Sequence, residues 1–163
     1  MEEKINQNDI EIQTEELQEL YDFWTTNMRL NDVDISVELL QNGDFVLKSG
    51  DPRAEGENDI DANRGVSEII IKSDSDLNRE YILVHELSHI IVRKYAMMWD
   101  EWSNFFPPVS MPVIFQQFEN INESVVNHIT KALLDVRDVA YQEGYDKALE
   151  ELELEDTNIQ EEN

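Results

Sequence analysis

The chain of 163 residues contains no cysteine, few basic residues and no long apolar run. The absence of cysteine excludes disulfides, thiolate metal ligands and cysteine nucleophiles. No segment approaches the roughly 20 consecutive apolar residues that a membrane-spanning helix requires. The first ten residues, MEEKINQNDI, carry neither the basic nor the apolar segment of a signal peptide. We therefore expect a cytoplasmic protein without a membrane association.

Basic residues are outnumbered three to one by acidic ones. Lysine and arginine together number 12, aspartate and glutamate 37, and the formal net charge at pH 7 is -25. A surface of this sign repels phosphate backbones, so we expect no direct binding of nucleic acid. Three explanations of the charge stay open: a solvated surface, recognition of a basic partner or substrate by a mimic of nucleic-acid charge, and a salt-loving host.

The chain length and the 40% share of hydrophobic residues suit one domain with a real core. Both ends are acidic and lack the apolar spacing needed for packing. They predict a flexible arm over 1–13 and a flexible tail over 154–163. A single domain is expected between them, over 14–153.

Apolar periodicity predicts the elements of the first part of this domain. Helical spacing indicates a helix over 14–30, capped by Thr14, and alternation indicates a strand over 33–40. Asn42-Gly43 then predicts a hairpin turn, with a returning strand over 45–47. Residues 49–66 lose all periodicity and are rich in glycine, aspartate and asparagine, so we expect a long mobile loop.

The second part contains one more strand and two more helices. The β-branched run at 68–72 predicts a strand, and the cluster at 73–76 can cap a helix that runs to about residue 97. Aromatic residues and prolines over 99–113 predict a structured loop. A long helix follows over 113–153, with a break near Gly144. The pattern as a whole predicts an α+β fold with a small antiparallel or mixed sheet of about three strands.

The sequence His85-Glu86-Leu87-Ser88-His89 within the predicted helix has the pattern HExxH. Histidines four residues apart lie on one face of a helix, where both can bind one tetrahedral zinc ion. Glu86 faces the same cleft and can take a proton from activated water and pass it to a leaving amine. Two of the three histidines of the chain belong to this motif. The motif follows a predicted strand and lies within an amphipathic helix, which is the structural context that HExxH requires.

A catalytic zinc site needs a third protein ligand, and here that ligand must be histidine, aspartate or glutamate. Glu123 is the best candidate because it lies on a helix expected to pack inward, where an unpaired carboxylate is costly. Its neighbours there are apolar: Ile121, Val125, Val126 and Ile129. Glu119, one turn earlier, is the fallback ligand. Asn127, one turn later, could accept the free N–H of a zinc-bound histidine.

These residues resemble the gluzincin branch of zinc metallopeptidases, and most closely the small minigluzincins of the ImmA/IrrE type. In that branch HExxH is followed by a glutamate, often within an Asn-Glu-x-x-x-Asp pattern. Asn122 and Glu123 match the pattern, whereas Asn127 replaces its aspartate and Ser88 stands where the family often has glycine. The resemblance covers about residues 67–135, and no helix-turn-helix partner domain is visible. It implies a minimal zincin-like domain from a family frequent in bacteria, phages and mobile elements.

Several further residues are candidates for contacts with a substrate. Tyr81, Tyr95 and His128 could each stabilise a developing oxyanion, although packing or a surface position explains each of them as well. The strand around Ile69, Ile70 and Ile71 is expected at the edge of the sheet, where it could hold an extended peptide. The sequence thus favours a zinc-dependent metallopeptidase that cleaves peptides or proteins. The alternative is a non-catalytic acidic interaction protein on the same scaffold, such as a mimic of nucleic-acid charge or an inhibitor encoded by a phage.

Overall fold

The protein is described by a computed structural model that resolves most of the chain. The backbone is described over 7–40, 55–61, 65–72, 75, 77–103 and 105–161, and side chains over 13–40, 55–61, 65–72, 75, 77–93 and 105–147. The chain divides into two compact units, Met1–Thr130 and Lys131–Asn163. The first unit contains all described strands and the residues of the cleft analysed below.

Three helices and three strands confirm the predicted α+β class. Their order is α1 (Gln7–Asn27), β1 (Asp34–Leu40), β2 (Gly56–Asp61), β3 (Val66–Lys72), α2 (Arg79–Ser103) and α3 (Met111–Glu161). No described helix is both long enough and apolar enough to cross a membrane.

The three strands form one mixed sheet in the order β1-β3-β2. β3 pairs in parallel with β1 and antiparallel with β2, so that Ile69 lies between Val37 and Asn58. The prediction that Ile69, Ile70 and Ile71 form an edge strand is therefore wrong. Ile69 and Ile71 are fully buried, and such β-branched residues suit a strand covered by neighbours. Of the described strands, β1 and β2 are the edges.

β2 lies inside the segment 49–66, which the sequence predicts to be a mobile loop, and that prediction is wrong for Gly56–Asp61. The strand has no apolar alternation, and it is held by backbone pairing with β3 and by side-chain hydrogen bonds. Asn58 donates from Nδ2 to the backbone carbonyl of Glu86 at 2.8 Å, and Ser67 donates to Asn58 Oδ1 at 2.6 Å. The predicted hairpin turn at Asn42-Gly43 and the strand over 45–47 lie outside the described residues.

The ends of α1 and the start of α2 are set by local hydrogen bonds. α1 begins at Gln7, before the predicted cap at Thr14, and includes part of the predicted flexible arm. It ends with Arg29 at φ 56° and with Leu30 N–H donating to the carbonyl of Thr25, the pattern of a Schellman motif. α2 is capped by Asn78, whose Oδ1 accepts from the Glu80 N–H at 2.8 Å, rather than within 73–76.

The other helix ends also differ from the sequence prediction. α2 continues to Ser103, so the aromatic residues at its end are helical and the connecting segment is shorter than 99–113. α3 begins at Met111 with Pro112 in its first turn, where a missing N–H costs nothing. It runs through Gly144 without a break, because glycine lowers helix stability by only about 1 kcal/mol.

α2 packs its apolar side against the sheet and α1. Its residues Leu83 and Leu87 are fully buried, as are Ile69 and Ile71 of β3. Trp24 of α1 is also buried, and its Nε1–H donates to Glu80 Oε1 at 2.8 Å. The hydrophobic side chains thus fix one side of α2 and leave the opposite side free to line a cleft.

The close approach of β2 to α2 generates a prediction. A Cβ atom at Gly56 would lie 2.5 Å from Ile82 Cγ2, and Ile82 is buried. Gly56→Ala should therefore lower the free energy of unfolding by about 1–3 kcal/mol, as overpacking does. Urea denaturation followed by circular dichroism measures this.

Gly144→Ala is the matched control, because no atom lies within 4 Å of a Cβ placed at that helical position. It should stabilise the protein or leave its stability unchanged. Equal stability of Gly56→Ala and the native protein would contradict the described packing of β2 on α2.

Candidate metal centre and cleft

Two imidazoles and one carboxylate converge on a point between α2 and α3. His85 and His89 lie one turn apart on α2, and their Nε2 atoms are 3.3 Å apart. Glu123 of α3 places Oε1 3.4 Å from His89 Nε2 and Oε2 3.6 Å from His85 Nε2. Among the described residues, these three form the group whose ligand atoms could hold a metal ion.

The separations can be compared with those that a zinc ion requires. With bonds of about 2.1 Å at tetrahedral angles, neighbouring ligand atoms lie about 3.4 Å apart. The two Nε2 atoms are 3.3 Å apart, close to this value, whereas Glu123 meets them with different oxygens, Oε1 at 3.4 Å from His89 and Oε2 at 3.6 Å from His85. One ligand atom from each residue lies within 4.8 Å of the others, so the carboxylate would have to turn to bring a single oxygen close to both nitrogens. Among the described residues, two imidazoles and one carboxylate reach this point, which supplies three of the four ligands of a tetrahedral ion. The residues present therefore fit a zinc ion.

The helix that bears Glu123 is less buried than its sequence suggests. Ile121 is 63% exposed and Val125 is 42% exposed. Of the described residues in this part of the helix, Val126 and Thr130 are fully buried. The side chain of Glu123 is itself half exposed. Proximity to the two histidines, rather than an apolar environment, is what distinguishes this carboxylate.

Charge and burial shift the pKa values of the three converging groups. The interaction with His85 is the largest cause that lowers the pKa of Glu123, against an opposing effect of burial. Burial by itself would lower the pKa of His85, but Glu123 and the charge of Glu86 raise it above its ordinary value. For His89 burial dominates and lowers the pKa. The carboxylate is thus held in the charged form that metal binding needs.

Glu86 lines the same cleft and is only 7% exposed. Burial raises its pKa to about 7, with the nearby carboxylates Glu123 and Glu57 acting in the same direction and His85 opposing them. A carboxylate that titrates near neutrality can both accept and return a proton, which is the requirement for a general base and acid.

Asn127 does not occupy the predicted position behind a histidine. Its Oδ1 accepts from the Tyr81 hydroxyl at 3.2 Å, and a hydrogen-bonding interaction with the Asn127 side chain is among the causes that raise the pKa of His85. The buried Nδ1 of His85 has no partner among the described residues. The physical reason is that α3 lies on the Nε2 side of the ring, so Asn127 meets Tyr81 and contributes to the raised pKa of His85 from that side.

The remaining candidates are divided between the cleft and the surface. Tyr81 lines the cleft, and its ring stacks on that of His85 with centroids 6.3 Å apart. His128 is exposed, and its Nδ1 bonds the carbonyl of Ser124 at 2.6 Å, so it lies away from the converging ligands. The side chain of Tyr95 lies outside the described residues. Glu119 lines the cleft, and burial followed by the charge of Glu123 raises its pKa, but it is not part of the ligand group.

The cleft has a volume of about 880 Å³ and is lined by α2, α3 and the edge strand β2. Gly56, Asn58 and Arg93 also line it, and none of the three is predicted from the sequence as a site residue. For Arg93 a signal does exist, because it continues the four-residue spacing of His85 and His89. For the two β2 residues none exists, because their strand has the composition of a loop.

Comparisons with known proteins add no relative. The chain matches no protein-family model, and no curated protein or solved structure is detectably similar to it.

Proposed function

We propose that the protein is a zinc-dependent metallopeptidase. The observation that carries the proposal is the convergence of His85, His89 and Glu123. The Nε2 atoms of the two histidines are 3.3 Å apart, and each lies 3.4–3.6 Å from one of the two carboxylate oxygens of Glu123. Two imidazoles with one carboxylate are a ligand set of catalytic zinc sites, in which a fourth position stays open. The gluzincin resemblance and a zincin-like arrangement of the α+β fold belong to the same proposal and rest on these residues.

His85, His89 and Glu123 would hold the metal through their Nε2 and carboxylate oxygen atoms. When bound, zinc supplies the Lewis acidity that activates water and polarises a scissile carbonyl. Glu86 lies beside His85 in the cleft, and its pKa of about 7 suits proton transfer at neutral pH. Its carboxylate accepts the proton of the attacking water and passes it to the nitrogen of the leaving amine.

β2 replaces β3 as the strand that would hold an extended peptide. It is an edge of the described sheet and lines the cleft with Gly56 and Asn58. Because Asn58 bonds the backbone carbonyl of Glu86, a peptide on β2 would lie at a fixed position relative to the base.

Tyr81 is the best placed of the proposed oxyanion donors. Tyr81 lines the cleft, and its hydroxyl donates to Oδ1 of Asn127, one turn after Glu123 on α3. Because a phenol has a single proton, Tyr81 would have to turn this proton from Asn127 to the substrate in order to stabilise a developing charge.

The net charge of -25 favours a second candidate, an acidic interaction protein that binds a basic partner on this scaffold. A binding protein has no use for a buried glutamate next to a metal ligand. The position of Glu86 therefore favours the peptidase, whose substrate would be a peptide or protein.

The ligand assignment predicts the metal content of two variants. The purified protein should bind one zinc ion, and Glu123→Ala should weaken binding by on the order of 100-fold or more. Loss of a residue that only hydrogen-bonds to a metal ligand already lowers metal affinity by about 10–100-fold. Titration against a chelating zinc indicator measures this. Glu119→Ala is the control and should bind zinc as the native protein does. The reverse result would move the third ligand to Glu119.

The proposed base predicts a separation of metal binding from catalysis. Glu86→Gln keeps the size of the side chain but removes the basic oxygen, so zinc content should stay unchanged while cleavage falls by about 10²–10⁴-fold. A peptide library analysed by mass spectrometry measures cleavage. Glu38→Gln, an exposed change on β1, should cleave like the native protein. Equal cleavage by Glu86→Gln would exclude Glu86 as the base, and no cleavage by any of the proteins would favour the interaction protein.

A further inference from the structure

Arg93 lies in the cleft one turn beyond the second histidine. Tyr81, His85, His89 and Arg93 follow one another at intervals of four residues along α2, and all four line the cleft. Four residues of helix correspond to about 6 Å along its axis. Of the described residues that line the cleft, Arg93 is the only arginine or lysine, whereas five are glutamates.

The guanidinium of Arg93 is held by one backbone contact, and no described carboxylate neutralises it. Its Nη2 donates to the backbone carbonyl of Ile60 on β2 at 3.2 Å, and its buried Nε has no hydrogen-bond partner among the residues that the structure describes. No ion pair to a carboxylate is described for it, in a chain where acids outnumber bases 37 to 12. A buried donor without a partner is costly, and an arginine fork matches the two oxygens of a carboxylate.

We propose that Arg93 binds a carboxylate of the peptide substrate on one side of the scissile bond, and this proposal rests on the proposed peptidase function. The carboxylate is the free C-terminus of the peptide or the side chain of an aspartate or glutamate. Arg93 is a specificity-determining residue in this role, because the surrounding glutamates repel every other negatively charged group. The cleft thus selects a peptide with one carboxylate at one position.

The spacing of the helix sets the distance of that carboxylate from the bond that is cut. An extended peptide advances about 3.3 Å per residue, so the roughly 6 Å between His89 and Arg93 corresponds to about two residues. If the carboxylate is the C-terminus, the product released is a single amino acid or a dipeptide. If it is a side chain, cleavage occurs inside a longer peptide at the same distance from the acidic residue.

Arg93 has a second contact whose loss must be distinguished from the loss of a substrate contact. By donating to Ile60, it also ties β2 to α2. A purely structural role would change the stability of the protein and the affinity for all peptides to the same degree. A role in recognition changes the ratio of the affinities for two peptides that differ only in the carboxylate.

The test measures binding by the full-length, zinc-loaded chain with Glu86→Gln, so that peptides stay intact. The probes are acetylated penta-alanine with a free C-terminus, the same peptide with a C-terminal amide, and an amide peptide that ends in aspartate. We expect the free acid, the aspartate peptide or both to bind about 10-fold more tightly than the alanine amide, as a charged hydrogen bond permits. This preference opposes the net charge of -25, which by itself favours the amide.

Arg93→Gln, added to the same chain, should abolish the preference, whereas Arg137→Gln should leave it intact. Arg137→Gln removes the same single positive charge at a position outside the cleft, where Arg137 pairs with Asp138. The carboxylate peptide that binds more tightly, relative to the alanine amide, shows whether Arg93 binds a C-terminal or a side-chain carboxylate. Equal affinity for the three peptides, absence of binding by all of them, or a preference that survives Arg93→Gln would overturn the proposal.

Cleavage by the native chain separates this proposal from the proposed function. Cleavage of acid and amide peptides at equal rates would overturn the role of Arg93 and leave the peptidase standing. A carboxylate preference in binding, without cleavage of any peptide by the native chain, would support Arg93 as a carboxylate site and reject the peptidase.

Discussion

The burial of one side of α2 is the constraint on which the rest of the structure depends. Leu83 and Leu87 are fully buried, and this fixes the rotation of the helix about its own axis. Since His85 and His89 lie on the opposite side, the same packing directs both imidazoles into the cleft. The hydrophobic core therefore determines the direction of the candidate ligands, and no separate interaction has to orient them.

The link between Asn58 and Glu86 places a polar edge strand beside this helix. A strand with the sequence of β2 buries little apolar surface, so its position depends on the backbone pairing with β3 and on side-chain hydrogen bonds. Asn58 accepts from buried Ser67 and donates to the carbonyl of Glu86, which connects the sheet, the edge strand and the proposed base. Gly56 permits the close approach because any Cβ there would contact Ile82 and Glu86.

Two carboxyl groups in the cleft have pKa values that are shifted in opposite directions. Glu86 has a raised pKa because it is buried near Glu123 and Glu57, whereas Glu123 has a lowered pKa because it contacts two histidines. Environments that move the pKa values of two carboxyl groups apart let one group ligate while the other transfers protons. Arg93 supplies the single described guanidinium in this acidic surrounding, tied to the edge strand through Ile60.

The sequence by itself determined the α+β class, the strand β1 and the amphipathic helix with its two histidines. These features are encoded by periodicity and by the four-residue spacing, which are local properties of the chain. The sheet order, the edge position of β2 and the pairing of Asn127 with Tyr81 were decided only by tertiary structure. β2 has the composition of a loop, and Asn127 and Tyr81 are 46 residues apart. No local pattern encodes such contacts, because their partners are chosen by the packing of α2 on the sheet and by the side of the histidine rings on which α3 lies.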